Sequence, residues 1–551
     1  MNTITTSIRK LTNLFVILFV LLSGGLVYWQ VVAAQQVAAN PHNIRHCLPD
    51  SAPIRGRILD RNGVVLAYSK KVDPNASNAG IVCGYQRVYT DPSLAGLIGY
   101  YISPLYGSIG IEHEFDSYLN GHNGLTGLDN TINQALHRPP VGDDIYLTID
   151  ERIQRIVNHL FDADAPPPDY HFVFPTDRGS VIVTDPHTGE ILAMLSRPGF
   201  DPNRVAAGDL NYFHRLEIDP EQPLLERPIQ ARYVPGSTYK TMTLLAGLDS
   251  GSASLDDQFD QQHALGPVYF NGQPFGPVGN NLCCYTYHYP VNLRYGYAHS
   301  DNIIFAQEGV KMGAQTWLDY NERFYVGKQI PFDLPVVVSN VTKNGQPLAT
   351  NELAANSFGQ GYDAISPLQE SLIDNVIAND GQLMRPMLVM KIVQPKNVDP
   401  NQTGVPAPIP MDPNQTEVAS FSPQLLATPV SSQTASLVRD AMYGVARCGS
   451  TSYIPKMFDS PWSIIAKTGT GEVGGNKNPQ AWLLTQAPYH NPQLTILAMK
   501  ENGGEASFVN GPMVADMYND IFANVLKLPL PPPPDPQNPY CYQTTSLLQT
   551  P

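Results

Sequence analysis

Three short groups of residues could do chemistry together. Ser237 and Lys240 stand in Pro235-Gly236-Ser237-Thr238-Tyr239-Lys240, ahead of an apolar segment with Met242, Leu244, Leu245 and Leu248. Pro-Gly breaks the chain, and the apolar spacing predicts a buried helix with Ser237 in its first turn. Positions i and i+3 share a helical face, so the Lys240 amine can reach the Ser237 hydroxyl. A serine becomes a nucleophile only with a base, and a desolvated lysine of depressed pKa can serve. The second group is Ser300-Asp301-Asn302, before Ile303, Ile304, Phe305 and Ala306 as if opening another buried helix. The third is Lys467-Thr468-Gly469, closing the apolar run Ile464-Ile465-Ala466. S-x-x-K alone means little: Ser7-Ile8-Arg9-Lys10 matches it too, and about one or two matches are expected by composition. Three groups in this order, each in a suitable setting, are a strong signal.

The elements that must position these groups are readable by pattern. Arg55 to Ala67 reads as two strands about an Arg61-Asn62-Gly63 turn. Gly110 to Gly121 reads as a helix stopped by glycine, Asp144 to Asp150 as a strand, and Ile153, Val157 and Leu160 fall at helical spacing. Ser180 to Thr184 and Glu190 to Leu195 form a hairpin about Asp185-Pro186-His187-Thr188-Gly189. Further strands are expected at Ser463 to Thr470, Ala481 to Gln486 and Gln493 to Met499. Strands at both ends with helices between them predict an α+β class: one antiparallel sheet flanked by helices, beside an α-rich lobe.

Composition excludes several functions. At 551 residues the chain can hold two or three domains, and 42% hydrophobic with 15% charged residues excludes wholesale disorder. A net charge of −15 leaves no basic surplus for phosphates, so no nucleic acid is expected. The six cysteines suit an oxidising compartment, but no C-x-x-C or H-E-x-x-H occurs, and no metal or cofactor is expected. Arg9 and Lys10 precede an apolar run from Leu14 to Ala34, with Tyr28 and Trp29 at its far end. This reads as a retained single-pass anchor with the bulk of the chain outside the cytoplasm; the alternative is a signal peptide cut near Val32-Ala33-Ala34.

The set S-x-x-K, S-D-N, K-T-G resembles that of penicillin-binding proteins and class A β-lactamases. The chain as far as Leu528 is similar to class B penicillin-binding proteins, the monofunctional peptidoglycan D,D-transpeptidases, and to their compact division-type members in actinobacteria. Arg55 to Gly63 resembles that class's pedestal signature. Leu147-Thr148-Ile149-Asp150, the hairpin Val183 to Met194, and Ser357-Phe358-Gly359-Gln360-Gly361 with Ser366-Pro367-Leu368-Gln369 resemble further family blocks. The resemblance implies a five-stranded transpeptidase sheet and these divisions: a cytoplasmic tail 1–10, an anchor 11–34, a pedestal 35–150, a transpeptidase domain 151–528 and a Pro-rich tail 529–551.

It also implies roles. Ser237 is the acylated nucleophile, Lys240 its base, Ser300 a proton relay, and Asn302 a holder of Lys240 and of the substrate backbone. Lys467, Thr468, Gly469 and Thr470 form the substrate-binding strand, with Lys467 lining a cleft and facing the terminal carboxylate of a D-Ala-D-Ala stem peptide. The N–H groups of Ser237 and Thr470 form the oxyanion hole. Implied partners are stem peptides, β-lactams and a multi-span membrane glycosyltransferase of the shape, elongation and division type. Gly471, Gln486 and Tyr239 depart from the family pattern, the first two at positions expected to bear on the acceptor side. The rivals are a D,D-carboxypeptidase, a β-lactamase using Glu352 of Glu352-Leu353-Ala354-Ala355-Asn356 to activate water, and a non-catalytic scaffold or β-lactam sensor.

Overall fold

The computed structural model describes residues 2–29, 53–73, 75–103, 107–123, 127, 130, 140–163, 173–276, 289–475 and 477–532. Residues 30–34 of the expected anchor, Cys47, Cys283, Cys284, Cys541 and the tail from residue 533 lie outside them. Cys83 and Cys448 are each part of a disulfide.

In chain order, the elements that frame the site begin with helix α1 (Asn2–Val27) and strands β1 (Ile58–Leu59), β2 (Val65–Lys71), β3 (Tyr85–Tyr89) and β4 (Asp144–Leu147). Helix α2 (Glu151–Ala163) leads to the hairpin β5 (Gly179–Thr184) and β6 (Ile191–Arg197). Helices α3 (Lys240–Ser250), α4 (Asn302–Met312) and α5 (Pro367–Ala378) follow, then β7 (Val389–Val393), β8 (Glu417–Ser420) and helix α6 (Ser432–Cys448). Strands β9 (Ile465–Gly471), β10 (Gln480–Ala487) and β11 (Leu494–Lys500) and helix α7 (Ala506–Asp520) complete the frame.

The catalytic sheet is antiparallel throughout, in the order β9-β10-β11-β5-β6, so the K-T-G strand is an edge. Side chains alternate across it with period two. Val181, Val183, Leu483, Ile496 and Ala498 pack with residues of α2 and α7, whereas Ile182, Trp482, Leu484, Leu497 and Met499 face the core of the α-rich lobe. Both faces are therefore buried, which fixes the register: a one-residue slip would exchange the two sets.

The pedestal sheet has the order β8-β7-β4-β1-β2-β3, with β1 and β4 parallel. Its hairpin turns where expected: Gly63 takes φ +85°, and the Asp60 carboxylate accepts from the N–H groups of Asn62 and Val64, both at 2.8 Å. The expected Gly110 to Gly121 helix is two single turns, Ile111–Glu114 and Asp116–Leu119. Two strands come from far along the chain: β7 leaves the catalytic region to pair with β4, and β8 pairs with β7 at the sheet's edge. Among the described residues one helix is long and apolar enough to span a membrane: Lys10–Val27, with mean hydropathy 2.0 and none of it buried.

Candidate active site

The nucleophile turn is held by close backbone approach. Gly236–Tyr239 form a 3₁₀ turn before α3, so Ser237 precedes the α-helix rather than opening it. Gly236 has φ +59°, and a Cβ there would stand 2.4 Å from the Thr470 carbonyl oxygen. A Cβ on Gly469 would stand 2.6 Å from the Pro235 oxygen and 2.8 Å from Thr238 Cγ2. The glycines of both motifs thus let the edge strand lie directly against the turn. Trp482 supports it from beneath, its indole N–H donating to the Val234 oxygen at 3.0 Å.

Ser300-Asp301-Asn302 divides its work by residue type. Ser300 takes the left-handed region at φ 62°, which for a serine is held only by its surroundings. Asp301 caps α4, accepting from the N–H groups of Ile303 at 2.9 Å and Ile304 at 3.0 Å. Asn302 opens the helix and points its amide oxygen at Lys240.

Lys240 is the hub. Its Nζ lies 2.8 Å from Ser237 Oγ, 2.6 Å from the Ser300 carbonyl oxygen, 3.1 Å from Ser300 Oγ and 2.7 Å from Asn302 Oδ1. The side chain is fully buried, and its pKa falls well below the ordinary lysine value, first through burial, then through the charge of Lys467, with Asp301 opposing. A neutral amine here donates to the Ser300 carbonyl and to Asn302, leaving its lone pair for the Ser237 hydroxyl proton.

Lys467 departs from its expected place. It is fully buried and does not line the cleft; its Nζ donates to Ser300 Oγ at 3.0 Å and to the Thr468 oxygen at 2.9 Å. Burial pushes its pKa down to about 7, against the field of Glu505. Ser300 Oγ therefore lies between two amines. Thr468 and Thr470 do line the cleft, and Thr468 Oγ1 shares a hydrogen bond of 2.8 Å with Ser450. The cleft, about 580 Å³, is also lined by Ser237, Ser300 and Asn302, with Phe275 and Phe358 at one wall and Tyr453 at another.

Two of the departures are structural rather than acceptor-side features. Gln486 is buried at the opposite end of β10 from the Thr470 pairing, its amide donating to Asp374 Oδ1 of α5 at 2.7 Å. Gly471 packs so closely on Val234 that a Cβ would stand 2.1 Å from its oxygen. Tyr239 is buried beside Trp317, with its hydroxyl on Asn321. Glu352 caps its own short helix, accepting from the Ala349 N–H at 2.7 Å and the Tyr362 hydroxyl at 3.0 Å, and so is committed away from Ser237. Sequence reasoning missed Ser450, Trp482, Glu472 and Glu505; the only trace was the position of Trp482 and Glu472 in or beside predicted strands.

Comparison with known proteins agrees with this geometry. Residues 179–523 match the family described as the penicillin binding protein transpeptidase domain, and residues 55–145 match the penicillin binding protein A dimerisation domain. The chain is 30% identical to the peptidoglycan D,D-transpeptidase PbpA of Mycolicibacterium smegmatis, over 95% of this chain and 99% of that protein. It is 26% identical to the peptidoglycan D,D-transpeptidase MrdA of Escherichia coli, over 84% of this chain and 72% of that one. Among solved structures, the penicillin G acyl-enzyme complex of penicillin-binding protein A from M. tuberculosis is 27% identical, with TM-score 0.69, covering 85% of this chain and 99% of that one.

Proposed function

The chain belongs to the penicillin-binding transpeptidases, and from that premise we propose how its own residues carry the reaction. It is a class B peptidoglycan D,D-transpeptidase, a serine acyltransferase. Neutral Lys240 takes the Ser237 proton as Oγ bonds to the penultimate carbonyl carbon of a D-Ala-D-Ala stem. The N–H groups of Ser237 and Thr470 receive the developing oxyanion. Collapse breaks the C–N bond. Ser300 hands its proton to the leaving amine and is reprotonated by Lys240, so D-alanine departs and Lys240 is neutral again. The acceptor amine then attacks the ester carbon, its proton returns along the same path to Ser237 Oγ, and the cross-link is released. Asn302 holds Lys240 in place. The Lys467 ammonium with the hydroxyls of Thr468, Thr470 and Ser450 attracts the stem's terminal carboxylate.

A β-lactam meets the same nucleophile, but its leaving nitrogen stays tethered, so the ester persists. The observation that carries this reading is the 2.8 Å contact of a fully buried amine with Ser237 Oγ. The test is intact-protein mass spectrometry after penicillin treatment, followed by peptide mapping. A single adduct on Ser237, absent from Ser237→Ala, is expected; an adduct elsewhere overturns the assignment. The β-lactamase rival lacks support in Glu352, whose carboxylate is already engaged with the Ala349 N–H and the Tyr362 hydroxyl.

The apolar helix with Lys10 at its start supports a single-pass anchor, basic end inside and catalytic domain outside. The strands to be cross-linked come from a sugar polymerase. The family resemblance supports a multi-span membrane glycosyltransferase as partner, met through anchor and pedestal.

A further inference from the structure

The described residues lining the cleft include two carboxylic acids, Glu472 and Glu505, and no lysine or arginine. Both catalytic lysines are buried beneath its surface. The two acids are not equivalent. Glu505 accepts from Ser507 Oγ at 3.0 Å and sits in the field of the Lys467 ammonium. Glu472 is exposed, and its side chain makes no hydrogen bond or ion pair with any described residue.

The position of Glu472 follows from strand alternation. Thr468, Thr470 and Glu472 are spaced by two along and just beyond the edge strand β9, and all three line the cleft. On the reading above, the donor's terminal carboxylate lies at the Thr468 end, where Ser450, Ser300 and Lys467 gather. A peptide laid along a strand edge advances about 3.4 Å per residue. With the penultimate carbonyl on the Thr470 N–H, the residue before it falls about 3.4 Å beyond Thr470, and its side chain extends toward Glu472, a similar distance further. A four-carbon ammonium stem and a glutamate side chain together span that gap. The cleft thus ends on an unpaired anion where the residue preceding D-Ala-D-Ala would project.

We propose that Glu472 pairs with the free side-chain ammonium of an aliphatic diamino acid preceding D-Ala-D-Ala in the donor stem, selecting donors whose amine is not yet acylated. This rests on the donor orientation proposed above. In a growing wall it would direct the enzyme to stems not yet used as acceptors.

The test compares Nα-acetyl-L-Lys-D-Ala-D-Ala with Nα,Nε-diacetyl-L-Lys-D-Ala-D-Ala, following D-alanine release by the full-length protein without added acceptor. Wild type is expected to favour the free amine by about fivefold in kcat/KM, as for an exposed ion pair, and the preference should shrink with salt. Glu472→Gln should bring the ratio near one, and Glu472→Asp should restore part of it. Penicillin acylation of Ser237 is measured in parallel. Failure of that acylation in wild type would strike the site assignment itself; normal acylation with a ratio of one in wild type overturns only the role of Glu472. A preference appearing solely when a separate amine acceptor is added would place the contact on the acceptor and also overturn it.

Discussion

Replacing Lys467 by methionine should make the protein more stable and less active, a pairing that follows from where the ammonium lies. The side chain is fully buried and its pKa drops from 10.5 to about 7. At about 1.4 kcal/mol per pKa unit, holding the proton in the folded state costs on the order of 5 kcal/mol. The sign follows from proton counting. Below about pH 7 the group is protonated both folded and unfolded, and the whole cost is present. Between about 7 and 10.5 the unfolded chain holds a proton the folded one has lost, so stability rises with pH until the cost is gone.

Methionine has similar length and no charge, but it leaves the Thr468 oxygen without the donor now at 2.9 Å, a loss of about 1–3 kcal/mol. The net at pH 6 is a gain of about 3 kcal/mol, or about 5 °C in Tm for a domain of this size. Near pH 10 the gain should vanish and reverse, because only the lost hydrogen bond remains. Acylation by penicillin should fall about a hundredfold, the loss of a charged contact worth about 3 kcal/mol. Thermal melting at pH 6 and 10, with the second-order acylation rate, measures both. A variant that melts below wild type at pH 6 refutes the burial argument. A folded variant that acylates at the wild-type rate refutes the carboxylate-binding role of Lys467.

Other outcomes follow from the same geometry. Penicillin acylation should rise with pH as Lys240 loses its proton and fall as Lys467 loses its own near pH 7. In Lys467→Met the rising limb should move to higher pH, since a like charge that depresses Lys240 is gone; a rate flat from pH 5 to 9 would count against both assignments. Gly469→Ala forces a Cβ to within 2.6 Å of the Pro235 oxygen; it should slow acylation at least about tenfold and cost about 1–3 kcal/mol in denaturant midpoint measurements. The full-length protein should fractionate with membranes and expose its bulk to external protease, and an unrelated anchor in place of residues 1–34 should weaken co-purification of a membrane glycosyltransferase. Recovery of a soluble form beginning near Gln35 would instead favour a cleaved signal peptide.

What could be read from the sequence divides by the range of the interaction behind it. Ser237 and Lys240 meet because three residues make nearly one helical turn, a constraint written in adjacent letters; the 3₁₀ form of that turn changes the label and keeps the contact. The sheet was legible because both its faces are buried, so four of its strands carry apolar runs and the fifth, β9, begins at the end of one. Lys467 was misplaced because its burial depends on Ser300, 167 positions earlier, and on the Tyr297 ring, neither of which its neighbours reveal. Gln486 misled for the same reason: an amide in an apolar strand reads as a functional exception, yet it answers Asp374, a carboxyl group 112 positions away. The pedestal received β7 and β8 across a gap of more than 240 residues from β4, and no local pattern says which sheet such strands will join. Edge position has the same character. That β9 has a free side follows only from the full strand order, and without it Glu472 is one more acid near a turn; with it, the residue stands at the end of the edge strand that lies against the Ser237 turn, where a peptide can be laid.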